Sequence, residues 1–197
     1  VPSVAGTIIP RVFSRHTKAY EKVRVELRDM DSKSVLHELS RGRIDIGIAT
    51  LRGNGSGLHS QLLLTDWFGV LLTPDHPLAS ETAPIDWDAL ENEQLIANSL
   101  SESIPGPEAE KLHAGSRFSA HNITSILGMV RAGIGVTLLP EMAAISAGQS
   151  DLVFRPLADK TAKRQIHLIR KADSALSPAA RRLENDILAT VEDLMQA

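Results

Sequence analysis

The sequence predicts an α/β protein built on parallel sheets with helices on both faces, and three observations carry the prediction. Stretches with a helical apolar repeat alternate with short β-rich runs along all 197 residues. The run Ile44–Ile48 is nearly all apolar, which suits a central parallel strand covered on both faces. Phe118–Pro140, FSAHNITSILGMVRAGIGVTLLP, reads as a complete unit of strand end, polar turn, helix, glycine break and buried strand. The remaining elements are organised around it.

Taken in order, Ser3 is expected to cap a first helix with Ile8, Ile9, Val12 and Phe13 on its apolar side. Pro10 is awkward there, because a proline in a helix interior removes a hydrogen bond at a cost of about 3 kcal/mol. Either the helix begins near Ile9 or it is kinked at that point. Val23, Val25 and Leu27 alternate with Arg24, Glu26 and Arg28, which predicts a strand whose wet face meets solvent or another subunit. Asp31 and Ser32 are cap residues for a helix carrying Val35, Leu36 and Leu39 and closed by Gly42. Ile44, Ile46 and Ile48 form the next strand. Asp45 inside it should face a cap or a basic partner, since an unpaired buried charge is costly. Gly53–Gly57 is a flexible loop without the Lys-Ser/Thr ending that a phosphate loop needs. Leu62–Leu64 and Phe68–Leu72 are two further strands, and the two prolines of Leu72–Ala79 mark a connection.

The second half begins with a short helix at Trp87–Leu90, a strand at Gln94–Ala97 and a polar turn at Asn98–Ser101. Ile104–Pro107 is irregular, and a helix before Phe118 is poorly defined by pattern. In the organising unit, Ile123, Ile126, Leu127 and Val130 fall on one helical face. Asn122 is placed to cap that helix, Arg131 suits the negative end of its dipole, and Gly133 supplies a left-handed terminator. Val136–Leu139 is the buried strand, stopped by Pro140. Glu141–Ala147 is then a helix, and Leu152–Leu157 and Arg164–Lys171 are strands. Ser177-Pro178 opens a terminal helix with an Ala180, Leu183, Ile187, Val191 and Leu194 stripe.

Composition narrows the function. The length allows one large domain or two of about 100 residues. A formal net charge of −3 gives no electrostatic argument for nucleic-acid binding. Without cysteine there is no disulfide or thiolate chemistry, which fits a reducing compartment. No apolar run is long enough for a membrane span, and no signal-peptide pattern opens the chain. A start at Val1 suggests a piece of a longer protein.

The runs GMVRAGIGVTLLP (128–140), RIDIGI (43–48) and LTPDHPLA (72–79) resemble those of the effector-binding domain of LysR-type transcriptional regulators. The resemblance covers essentially the whole chain. It implies two doubly wound lobes of type II periplasmic-binding-protein architecture joined by two crossover strands. Residues 1–73 with 168–197 would form the first lobe and 74–167 the second. It also implies a small-molecule effector in the cleft between lobes. Effector contacts carry over to Ser3, Val4, Met30, Ser32, Ser99, Leu100, His121, Asn122 and Ile123. A homodimer is implied, with Ile9, Pro10, Phe13, Val25 and Leu27 of one chain meeting Met129, Val130 and Val136 of the other. The full-length protein would be a cytoplasmic tetramer, reading DNA only through an N-terminal winged helix-turn-helix absent from this stretch.

Catalytic and metal motifs are missing. Seven histidines occur, but no H-E-x-x-H pair, cysteine-based metal set or G-x-S-x-G elbow. His37, His76 and His167 read as surface or structural residues, and His113 with His121 is too few ligands for zinc. His121 is either a ligand contact or plain turn polarity. Neither a catalytic residue, a metal nor a cofactor is expected. The polar residues that open helices offer free amides to an anion, although an ordinary N-cap accounts for each one singly. No arginine lies in these turns, which favours a small monoanion or polar metabolite over a clamped dianion. Two other classes share the scaffold: a solute-binding protein of a transport system, and an enzyme, which would need an acid, base or nucleophile set that the sequence does not assemble.

Overall fold

The computed structural model describes residues 1–20, 22–51, 57–146, 148 and 151–196. Of the expected 53–57 loop only Gly57 lies within it, and Ala147, the expected end of a helix, lies outside. The chain divides into two compact units, Val1–Thr65 with Gln165–Ala197, and Asp66–Arg164. The divisions expected from sequence lay at 73/74 and 167/168. Residues 69–72 belong with the second unit because they form ladders with its strands, as described below.

The first unit contains α1 (Pro2–Thr7), α2 (Ile9–Ala19), α3 (Ser32–Ser40), β1 (Gly47–Thr50) and α7 (Pro178–Met195). Val1, not Ser3, is the N-cap of α1; Pro2 takes the first turn and Ser3 is buried one residue further in. Ile8 joins α1 to α2, so Pro10 lies in the first turn of a new helix. There its missing N–H has no helical partner to lose, and the expected penalty does not arise. Two long strands, β2 (Leu58–Leu72) and β7 (Lys163–Lys171), each run from one unit into the other. β1 pairs antiparallel with β7, Ile48 opposite Leu168 and Ala49 opposite His167. Val35 and Leu39 of α3 pack on Ala49 and Ile169. A side chain at Gly47 would meet Leu39 at 2.5 Å, which is why α3 can lie so close.

Other expectations fail in this unit as well. Val23–Leu27 belongs to no strand; Val23 and Val25 are half-buried and Leu27 is 48% exposed. Strand formation likewise starts at Gly47 and not at Ile44, and Asp45 is exposed instead of facing a cap or basic partner. Alternation fixes which side chains point inward, but it does not supply a hydrogen-bonded neighbour. A cavity of about 410 Å³ is lined by both of these segments.

The second unit contains β3 (Ile96–Ala97), α4 (Pro107–Ala114), β4 (Phe118–Ser119), α5 (Ile123–Arg131), β5 (Thr137–Pro140), α6 (Glu141–Ser146) and β6 (Val153–Pro156). β3 and β4 pair in parallel, and parallel bridges join Leu95 to Val136 and Ile85 to Leu157. The longer ladders are antiparallel, with β2 taking β5 and β6 as partners around Gly69–Leu71. The architecture is mixed α/β, and its antiparallel part comes from the long strands that pass between units. The expected strands 62–64 and 68–72 are one strand, because the polar step Thr65-Asp66-Trp67 stays extended. Pro140 is the last residue of β5, opposite Phe68, and α6 follows directly.

Two apolar clusters hold this unit. One gathers Phe68, Val70, Leu72, Leu90, Leu95, Val136 and Leu138. The other joins Leu71, Ile96 and Leu139 to Leu127 and Val130 of α5 and Ala143 of α6. Alternate residues of β2 and β5 enter each cluster, as a strand covered on both faces requires. Among the described residues no helix is long and apolar enough to cross a membrane.

Candidate functional site

In the first unit the candidate residues surround the start of α3. The Asp31 carboxylate accepts from the Ser34 amide at 2.8 Å, and its carbonyl accepts from the Val35 amide at 2.9 Å. The Ser32 hydroxyl accepts from the Thr50 amide at 3.0 Å, tying the start of α3 to the end of β1. Met30 and Ser32 are half-buried, whereas Ser3 and Val4 are buried within α1. The Ser3 carbonyl accepts from the Thr7 hydroxyl at 2.7 Å.

In the second unit two polar turns follow strands. His121 and Asn122 are exposed at the start of α5, and the Asn122 side chain accepts from the Thr124 amide at 2.8 Å, making it the expected cap. Ile123 is half-buried against the second cluster. At the other end, Gly133 adopts φ +69°. Arg131 donates to Asp151 at 2.6 and 3.0 Å and holds that exposed carboxyl below its ordinary pKa.

The other turn is built by Asn98, which the sequence placed in a polar turn but not among the contact residues. Asn98 is 2% exposed, and its Oδ1 accepts from the Leu100 and Ser101 amides, both at 3.0 Å. Its Nδ2 donates to Thr137 Oγ1 at 3.0 Å and to the Leu138 carbonyl at 3.1 Å. Thr137 passes the chain on, donating to the Ile96 carbonyl at 2.8 Å. The Ser101 hydroxyl closes the turn by donating to the Asn98 carbonyl at 2.9 Å. Ser99 is left exposed at the tip and Leu100 half-buried. Several amides that could have met an anion are therefore already engaged by Asp31, Asn98 and Asn122. The available signal was an Asn directly after a β-run, the position of an Asx turn.

A second missed pair is Asp66 with Arg164, 3% and 7% exposed. Arg164 donates from Nε at 3.0 Å and from an Nη at 2.7 Å to one Asp66 oxygen, and the Met142 amide donates to the other at 3.1 Å. These charges stand at the first and last residues of the second unit.

The histidines are local. His37 and His121 are exposed. His76 Nδ1 accepts from the Leu78 amide, so its proton sits on Nε2, 3.2 Å from Glu93. His16, also overlooked, is buried with Nδ1 2.7 Å from Asp186, and its Nε2 is buried without a partner among the described residues. The same holds for Nε2 of His113 and Nδ1 of His167. Among the described residues no group of acidic or histidine side chains could hold a metal ion. Burial opposes ionisation of Asp159, but hydrogen bonds from Trp87, Thr161 and the Ala162 amide outweigh it and hold its carboxyl below the ordinary value.

The residues expected at a dimer contact separate by exposure. Ile9, Val130 and Val136 are buried within their own units, so their side chains are not available to a partner. Pro10 and Leu27 are exposed, and Phe13, Val25 and Met129 are half-buried.

Comparison with known proteins bears on all of this. The family model described as the LysR substrate binding domain matches residues 1–191. An uncharacterized HTH-type transcriptional regulator of Escherichia coli, YbhD, is 25% identical over 187 residues, covering 92% of this chain and 59% of its own length. The chain thus spans about three-fifths of that relative. The BenM effector-binding domain with its effector benzoate superposes with a TM-score of 0.75 at 22% identity, over 100% of this chain and 89% of that one. The QuiR effector-binding domain in complex with shikimate gives 0.79 at 17% identity, over 97% and 93%.

Proposed function

We infer function from kinship: the chain belongs to the LysR substrate binding domain family. We propose that it is the effector-sensing and dimerising part of a cytoplasmic LysR-type transcription regulator whose DNA contacts are made by a winged helix-turn-helix. The family match along nearly the whole chain carries this reading, and the curated relatives named as HTH-type regulators support it over a transport role. The effector is proposed to be a small carboxylate. Benzoate and shikimate, bound by the two structural relatives, both carry that group.

The proposed contacts are Ser3, Val4 and the Met30–Ser32 turn of the first unit, with Ser99, Leu100 and His121–Ile123 of the second. Ser99 and His121, exposed at their turns, lead the set, while Ser3 and Val4 are buried within α1. The proposed role is binding without catalysis, as in the regulators named among the relatives. Effector binding would shift the population between two states by its differential affinity for them, and so bias the homodimer and its tetramer. Pro10, Phe13, Val25, Leu27 and Met129 are the side chains proposed for the dimer.

A thermal-shift screen of small carboxylates against their amides and esters tests this. A ligand at a hundredfold excess over Kd adds about 2.7 kcal/mol of stability, which is readily seen. A carboxylate that raises Tm while its amide does not is the expected result. A flat response to the whole panel would count against the carboxylate reading.

A further inference from the structure

We infer that Asn98 is the positioning residue of the second unit's effector turn, and that its neutrality suits the turn to an anion. This rests on the effector-sensing reading above. Primary amides have two donor hydrogens and an oxygen with two lone pairs, and here all four are engaged although the residue is buried. Two of the bonds hold the amides of Leu100 and Ser101, which fixes the backbone directly after the exposed tip at Ser99. The other two fasten the residue to β5 through Thr137 and Leu138. Ser99 is thereby set on the sheet and not on a free loop.

An aspartate could accept from the same two amides, as Asp31 accepts from Ser34 in the first unit. It could not serve here. A carboxylate at 98 would face the Leu138 carbonyl, an acceptor with no hydrogen to offer, in a buried setting. It would also put a negative charge directly beneath the tip that meets the ligand. Geometry and charge therefore select asparagine together. The Thr137 hydroxyl supports the same bond network, since it accepts from Asn98 and donates to Ile96.

The test compares wild type, Asn98→Asp and Thr137→Val by amide NMR, first without ligand and then titrated with benzoate and with shikimate. In wild type the Ser99 resonance moves with a carboxylate. Asn98→Asp is expected to weaken that binding at least tenfold at pH 7.5, about the effect of one lost hydrogen bond to a charged group. Part of the loss returns by pH 5.5, as the buried carboxyl takes up a proton and regains a donor. Thr137→Val keeps the site neutral, and about a two- to fivefold loss is expected, with faster exchange of the Leu100 and Ser101 amides.

A variant with loosened Leu100 and Ser101 amides but wild-type affinity would overturn the inference and leave the functional reading intact. If Asn98→Asp does not fold, Thr137→Val alone decides on the same criterion. A wild-type Ser99 resonance unmoved by both carboxylates would overturn the functional reading and this inference with it.

Discussion

The polar turn of the first unit and the Asn98 turn of the second do the same local job by different means. At the start of α3, Asp31 is exposed and caps its own helix, and Ser32 adds one bond to β1. At 98–101 the capping side chain is buried and reaches across to a neighbouring strand. The surroundings differ in the same sense. The first unit buries Ile166, Leu168 and Ile169 on the two faces of β7, but its Val23–Leu27 segment joins no strand and lines a cavity of about 410 Å³. The second packs both faces of its strands and buries an ion pair. A local cap tolerates change around it, while a cap wired into a core does not. Precision at a binding turn thus depends on what lies beneath it.

That contrast can be tested by where substitutions hurt. Arg164→Met should cost about 3–5 kcal/mol in a denaturant titration, because it leaves the buried Asp66 carboxylate without its cation. Leu138→Ala, in the fully buried part of the second unit, should cost about 2–5 kcal/mol. Leu27→Ala, at an exposed position of the first, should stay within about 0.5 kcal/mol by the same measurement. Equal costs at 138 and 27 would contradict the burial that separates the two positions. Asp31→Ala removes a local N-cap and should cost about 1 kcal/mol. The smallest effect concerns pH. The folded pKa of Asp159 is depressed, so its stabilisation is present above the ordinary carboxyl pKa and lost as pH falls through the folded value. Asp159→Asn should therefore flatten the acid limb of Tm against pH and leave the shape above pH 6 unchanged.

Much of this was legible from residue pattern. Asn122, Gly133 and the Ile126, Leu127 and Val130 face define α5, and each signal is local, lying within a turn or two of the atoms it governs. The misses share the opposite property. Whether Val23–Leu27 pairs depends on a neighbour remote in sequence, and alternation is silent about that. Asp66 read as an interruption between two strands, because its partner Arg164 lies 98 residues away. Asn98 read as one more turn residue, since its decisive bonds go to Thr137 and Leu138, about 40 positions on. The motif resemblance pointed to the right family, but not to which side chains of the proposed contacts are exposed: Ser3 and Val4 are buried, Ser99 is not.

The most direct test of effector sensing is calorimetric titration of the carboxylate selected by thermal shift into wild type, Ser32→Trp and Ser99→Trp. Effector sensing through these turns predicts that both variants lose measurable binding, with Ser99→Trp keeping the wild-type Tm without ligand and Ser32→Trp giving up the stability of its Thr50 bond. Wild-type affinity in a folded Ser99→Trp protein would contradict it.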